Sequence, residues 1–158
     1  MSEFTTIKGS NSYRGSSTWE QDVVHNVVSV ELPTTALQTG DITWLLYVPE
    51  GAIIVDGYVK ADDLDGSGGT SLAYNIGDST TTNLFFANTT TGQAAGASSI
   101  LDSARFTKFA SATRIKMTVA TTAETAVAGT LVFGLSYIID SDGETNVATG
   151  ETPITITA

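Results

Sequence analysis

The sequence contains no cysteine and a single histidine, His25, among its 158 residues. Without cysteine the chain can form neither a disulfide framework nor a thiolate zinc site. One histidine is too few for an ordinary zinc site, and a serine nucleophile would need that same histidine as its base. Because the sequence also lacks a Gly-x-Ser-x-Gly motif, we interpret His25 as an exposed or edge-strand residue. We predict no catalytic residue, no metal site and no cofactor.

Basic residues are scarce, because seven Lys and Arg stand against seventeen Asp and Glu, which gives a net charge of -10. A surface of this sign repels phosphate backbones, so we exclude nucleic acid as a partner. Charged residues of both signs make up only 15% of the chain, against roughly 25% in an average soluble protein. A polar surface with so few charges is typical of all-β proteins and of subunits that pack against other subunits.

Long apolar runs are absent as well. No window approaches the roughly 20 apolar residues of a membrane span, so we expect no membrane partner. The first residues, MSEFTTIKGSNSYRGSS, lack the apolar core of a signal peptide. We therefore expect synthesis in a cytoplasm without export by that route.

What the chain does contain is a series of short apolar runs separated by Gly, Pro, Asp and Thr turns. Three of these runs lie between Ile42 and Gly77, and the strongest single one is GTLVFGLSYIID near residue 135. Runs of this length and composition are typical of strands joined by turns. No segment shows a convincing helical period over three turns. We predict an all-β antiparallel β-sandwich of eight or nine strands, for which a jelly roll is one possible arrangement.

The alternation of apolar residues assigns faces to the predicted strands. In the first central strand Ile42, Trp44 and Val48 fall on one face, which we expect to point into the core. In the next strand Ile53, Val55, Gly57 and Val59 share a face in the same way, and Asp56, Tyr58 and Lys60 point outward.

The polar, glycine-rich ends divide the chain into an extended N-terminal arm (1–20), a sandwich domain (21–140) and an acidic C-terminal tail (141–158) whose last residues could add an edge strand. Residues 78–99 form a long stretch with few large side chains, and such stretches are usually functional. Two further candidate contacts are basic residues that alternate with apolar residues on one predicted strand. The candidate partner contacts are Phe4, Ile7, Tyr13 and Trp19 in the arm, Phe85 and Phe86 in the long stretch, and Arg114 and Lys116 on the strand.

The loop from Asp62 to Asp65 is the sharpest acidic feature. Its carboxylates precede a Gly-rich turn, but the spacing of a calcium-binding EF-hand fails, because Tyr74 stands where a bidentate Glu is needed. We interpret the loop as a strand-connecting turn. Arg114 and Lys116 are positions at which an acidic surface of another subunit, including Asp62 to Asp65, could dock.

The order of several strings resembles that of small virion proteins encoded in the structural modules of tailed phages. The resemblance covers roughly residues 48–139, and it rests on PEGAIIVDGYVKADDLD, SLAYNIGDSTTTNLFFA, TGQAAG, IKMTV and GTLVFGLSYII. It implies a non-enzymatic β-sandwich subunit that decorates or cements the outer surface of a phage capsid. The implied partners are the major capsid protein and further copies of the chain, as a trimer or dimer. The implied location is the capsid outer surface of the virion.

Two alternatives stay open at this point. One is another virion β-subunit, such as a head fibre or a tail component. The other is a carbohydrate- or receptor-binding module, in which Trp19, Trp44, Tyr58 and Tyr74 would form an aromatic stacking platform.

Overall fold

The computed structural model describes residues 23–139, which form eight strands and two short 3-10 turns. No helix in this part of the chain is long and apolar enough to cross a membrane. The predicted arm contacts and the predicted C-terminal edge strand lie outside the described residues. The strands are β1 (Val24–Leu32), β2 (Ile42–Val48), β3 (Ala52–Ala61), β4 (Ala73–Gly77), β5 (Phe86–Thr89), β6 (Gly96–Ser99), β7 (Thr113–Thr121) and β8 (Gly129–Ile139).

Two four-stranded sheets make up the domain, with the strand orders β1-β8-β3-β6 and β2-β7-β4-β5. The strands pair antiparallel as β1 with β8, β2 with β7, β3 with β6 and β4 with β5. The first strand pairs with the last and the second with the last but one, as in a long hairpin that folds over into two layers. This topology is the jelly roll. The predicted all-β antiparallel sandwich is confirmed, and the jelly roll is the arrangement that it takes.

The core fills the space between the two sheets. On β7 every second residue from Ile115 to Val119 is buried, and on β8 Leu131, Phe133, Leu135 and Tyr137 point into the core in the same alternation. At the centre the ring of Phe85 lies 5.9 Å from that of Phe133 and 6.5 Å from that of Phe109. Burial of each such side chain contributes roughly 1.5–3 kcal/mol to stability.

An irregularity in β2 overturns part of the predicted face assignment. The register of β2 against β7 shifts between Trp44 and Tyr47, and Val48 is fully buried whereas Ile42 and Trp44 are 50% and 46% exposed. A bulge adds one residue to a strand, so the alternation on its two sides is out of phase. The prediction that Ile42 and Trp44 face the core is therefore wrong, and the prediction for Val48 is confirmed.

The same effect occurs in β3, whose register against β8 shifts between Ile54 and Asp56. After this bulge Val59 faces the core as predicted, but before it Ile54 is fully buried and Ile53 is only half-buried. The predicted inward face of Ile53 is wrong for the same reason as in β2.

The acidic loop after β3 contains a carboxylate that ties two loops together. Asp65 is fully buried. Its Oδ2 accepts hydrogen bonds from the backbone N–H groups of Ser71 and Leu72 at 3.0 and 2.9 Å, and its Oδ1 accepts one from Thr125 at 2.9 Å. Desolvation raises the pKa of Asp65, but these backbone donors and that of Glu124 outweigh it and hold the pKa below its usual value. The loop is a strand-connecting turn whose inner carboxylate is bound by amides.

Replacement of Asp65 by Ala should lower the free energy of unfolding by about 3 kcal/mol, because three backbone N–H groups, of which that of Leu72 is buried, lose their acceptor. Urea unfolding measures this loss. Because its folded pKa is lowered, Asp65 stabilises the fold above its unfolded pKa, and this contribution disappears as the pH falls through the folded value. The acid side of the stability profile should therefore flatten in D65A.

The matched control is Asp63→Ala, which removes an exposed carboxylate from the same loop. This change should alter the free energy of unfolding by no more than about 0.5 kcal/mol. Equal losses in the two variants would contradict the role assigned to Asp65.

Candidate interaction surface

Exposed aromatic and cationic side chains meet on the outer face of the second sheet. In the register of β2 against β7, Trp44 lies opposite Lys116 and Tyr47 lies opposite Arg114. Residues directly opposite each other in an antiparallel pair point to the same face, and Trp44 and Tyr47 are 46% and 56% exposed. We call this group, together with Ile42, the Trp44 surface.

Two cationic side chains contact the indole ring of Trp44 at the centre of this surface. The guanidinium carbon of Arg114 lies 4.8 Å from the centroid of the Trp44 ring, and Nζ of Lys116 lies 5.8 Å from it. Such cation–π contacts at exposed sites contribute about 0.5–1 kcal/mol each and hold the cations in place. The prediction that Arg114 points to solvent from a strand is confirmed, whereas Lys116 is partly buried. Their contact with a partner stays a prediction.

Arg105, by contrast, is engaged within the domain. Its guanidinium forms ion pairs with Asp56 at 3.0 Å and with Asp102. The hydrogen bond from Arg105 is the main reason why the pKa of Asp56 is lowered. Both ion pairs lie at the surface, where such pairs contribute little stability, so their effect is to orient the loop between β6 and β7.

That loop presents Phe106, an exposed aromatic side chain that sequence reasoning missed. The Phe106 side chain is 79% exposed, and its backbone has φ of 63°, which a bulky residue rarely adopts. The loop is fixed to the edge of β3, because Phe106 N–H donates to the Ile54 carbonyl at 2.7 Å and Ile54 N–H donates to the Thr107 carbonyl at 3.0 Å. A strained, exposed aromatic ring on a fixed loop contributes no packing to its own subunit. No sequence signal distinguishes it from a core Phe.

Phe85 and Phe86 require a correction. Both were expected to contact a partner, but they are 0% and 3% exposed. The stretch 78–99 contains two short strands, β5 and β6, and Phe85 and Phe86 at the start of β5 pack into the core between the sheets. The two side chains are core residues and are unavailable to a partner.

A serine and the histidine lie together on the outer face of the first sheet. The Oγ of Ser136 is 2.8 Å from Nδ1 of His25, and Asp56 is the register partner of Ser136 on the other side. The order across the strands is His, Ser, Asp, whereas a catalytic triad places the histidine between the other two. Asp56 is bound by Arg105 and does not orient the imidazole. The interpretation of His25 as an exposed residue is confirmed, and sequence reasoning had no means of predicting its contact with Ser136.

The aromatic residues suggested for a stacking platform do not lie together. Tyr58 stands on the outer face of the first sheet, above Gly134, where a Cβ atom would collide with its ring. Trp44 lies on the outer face of the other sheet, and Tyr74 is buried in the core at 1% exposure. These three rings cannot form one platform. Trp19 lies outside the described residues.

No protein-family model and no curated protein matches the chain. Solved capsid structures of three bacteriophages do contain similar chains. The chain in the capsid of Ralstonia phage GP4 is 26% identical with a TM-score of 0.67, over 76% of this chain and 86% of that one. The chain in the capsid asymmetric unit of cyanophage Pam1 is 22% identical with a TM-score of 0.70, over 77% and 88%.

The third similar chain belongs to the acid-stable capsid of Helicobacter pylori bacteriophage KHP30. It is 13% identical with a TM-score of 0.52, over 76% of this chain and 94% of that one. In all three comparisons the aligned part is a larger share of the neighbour than of this chain, so each neighbour is the shorter chain. The fold of this chain is one found in bacteriophage capsids, and its similarities support a structural protein related to them.

A pair of aromatic replacements separates the core from the Trp44 surface. Phe85→Ala should lower the free energy of unfolding by about 3–5 kcal/mol, because it leaves a cavity beside Phe109 and Phe133. Trp44→Ala should cost only about 1 kcal/mol, since it removes a half-exposed ring and two weak cation–π contacts. Thermal and urea unfolding measure both changes. A loss for Trp44→Ala as large as that for Phe85→Ala would contradict its assignment to a surface.

Proposed function

We propose that this chain is a non-enzymatic virion structural protein that decorates or cements the outer surface of a phage capsid. In this function it contacts neighbouring capsomers built from the major capsid protein. The observation that carries the proposal is the shared jelly roll with a chain of the Ralstonia phage GP4 capsid, at 26% identity over most of both chains. Fold alone does not define a function, so the proposal also needs support from the chemistry of the surface.

The size of the chain supports a decorating role. The similar capsid chains are shorter than this one, and here residues 23–139 fold into one sandwich with its own core. A small sandwich that is complete in itself is suited to addition onto a shell, because its fold does not depend on the shell.

Charge supports an outer position. The net charge of -10 makes the chain repel packaged DNA, so an inner position would be unfavourable. The outer faces of both sheets also carry exposed aromatic and aliphatic side chains, including Val27 at 58% and Tyr47 at 56%. Such side chains are common where one subunit meets another.

Co-sedimentation with native and decoration-free phage heads tests the proposal. The full chain should sediment with heads in a fixed ratio to the major capsid protein and should raise the temperature at which the heads break open. We expect a chain without residues 1–20 to keep the unfolding midpoint of the full chain and to lose head binding. Absence of binding by the full chain would overturn the function, and retained binding by the shortened chain would overturn the role of the arm.

Phe106 is proposed as one anchor of the capsid contact. A positive φ costs a non-glycine residue roughly 1–2 kcal/mol, so Phe106→Gly should raise the free energy of unfolding by about 1 kcal/mol while it removes the exposed ring. If the ring anchors the contact, the stabilised variant should bind heads at least about tenfold more weakly. Chemical unfolding and a head-binding titration measure the two effects.

Ser67→Gly is the matched control, because Ser67 is exposed and has φ of 62°. This change relieves the same backbone conformation without removal of an aromatic ring. It should stabilise the fold to a similar extent and leave head binding unchanged. Unchanged binding by F106G would remove Phe106 from the contact.

A further inference from the structure

We propose that the Trp44 surface of one copy binds the acidic end of a second copy of this chain. The acidic end consists of the exposed carboxylates at one end of the sandwich, which are Glu31, Asp62, Asp63 and Glu124. The proposal goes beyond attachment to a capsid, because it names the two surfaces through which copies of the chain meet and requires no shell.

The four carboxylates are brought together by the ends of three strands. The backbone N–H of Thr130 at the start of β8 donates to Oδ2 of Asp62 at 2.8 Å, and its hydroxyl donates to Oε1 of Glu31 at 3.0 Å. Glu124 precedes Thr125, whose N–H binds the buried Asp65 of the same loop. Hydrogen bonds from Thr130 thus hold two of the four carboxylates, those of Asp62 and Glu31, in place.

The Trp44 surface runs along β2, from Ile42 near the acidic end to Tyr47 at the opposite end of the sandwich. Tyr47 is next to the last residue of β2, and a short turn leads from there to Ala52 at the start of β3. Asp62 follows directly after the last residue of β3. Since β3 has ten residues, about 33 Å of strand separates the Tyr47 end from the acidic end. One copy can therefore contact one neighbour through Tyr47 and Arg114 while its acidic end contacts another.

Charge selects a second copy as the occupant. Two chains that each carry a net charge of -10 repel each other over most orientations. Approach of the acidic end to Arg114 and Lys116 is an orientation that replaces repulsion by attraction. Exposed Trp44 and Tyr47 add apolar area beside the cations, and Trp, Tyr and Arg are the residues that most often dominate binding energy at interfaces.

Because the two surfaces differ, the contact can close in two ways. Copies can follow one another head to tail around a ring, or two antiparallel copies can make the contact twice about a two-fold axis. Both closures place every acidic end against a Trp44 surface.

The test is the self-association of the full chain, measured by sedimentation equilibrium. Variant R114E/K116E reverses the charge of the Trp44 surface, and variant E31K/D63K/E124K reverses that of the acidic end. Each should associate at least about tenfold more weakly than the natural chain, and the natural chain should weaken as salt rises toward about 0.5 M. The control Val27→Glu adds a charge at the middle of the outer face of the other sheet and should leave association unchanged.

A mixture of the two charge-reversed variants gives the most specific test. Each variant repels itself, but each of its surfaces is complementary to the other variant, so mixing should restore association with equal numbers of the two chains. Unfolding midpoints like that of the natural chain establish that the variants fold.

Three results would overturn the proposal. They are a natural chain that stays monomeric at about 100 μM, full association by R114E/K116E, and loss of head binding by that variant with self-association intact. The last result would assign the Trp44 surface to the capsid protein. Failure of the proposed function is distinguishable, because it would appear as a chain that self-associates in this way and binds no heads.

Discussion

The pairing of β1 with β8 is the constraint on which the rest of the domain depends. It joins the first and last strands of the described chain along nine register positions, from Val24 with Tyr137 to Leu32 with Gly129. Every other strand lies between them in sequence, so the nested order of the jelly roll follows from this closure. The antiparallel pairing also brings Val24 and Ile139 to the same end of the sandwich, near Tyr47. Both ends of the described chain therefore lie at the Tyr47 end of the sandwich.

Because the inner faces of the two sheets pack against each other, only the outer faces and the two ends of the sandwich can contact other molecules. On the outer face of the second sheet the bulge in β2 turns Trp44 to solvent, and the register with β7 then sets Lys116 and Arg114 beside it. At the other end Asp65 uses its carboxylate inside the fold and binds three amides, while Asp62 and Asp63 stay at the surface. Asp65 therefore has a structural role whereas Asp62 and Asp63 stay available at the surface, and the difference follows from burial.

The strands and the sandwich were predictable because alternation with a period of two survives in most of the chain, as in β1, where His25 points outward as predicted. The failures have local physical causes. A bulge changes the phase of alternation without a signature in the sequence, so the inward assignments of Trp44 and Ile53 were wrong. Phe85 lies in a stretch of small polar residues that resembles a loop, yet long-range packing against Phe133 buries it. The surface site was half predictable, since the outward direction of Arg114 followed from strand spacing, whereas its aromatic partner did not.

Several exposed features lower the stability of the isolated subunit. The strand ITWLLYV is the outermost strand of its sheet and carries no charge, and such edges favour association with other chains. Phe106 holds an unfavourable backbone conformation with its ring in solvent. A monomer that acted alone would gain stability from a charged residue on β2 and from glycine at position 106. Both features fit the proposed role, in which neighbouring proteins cover these faces of the subunit.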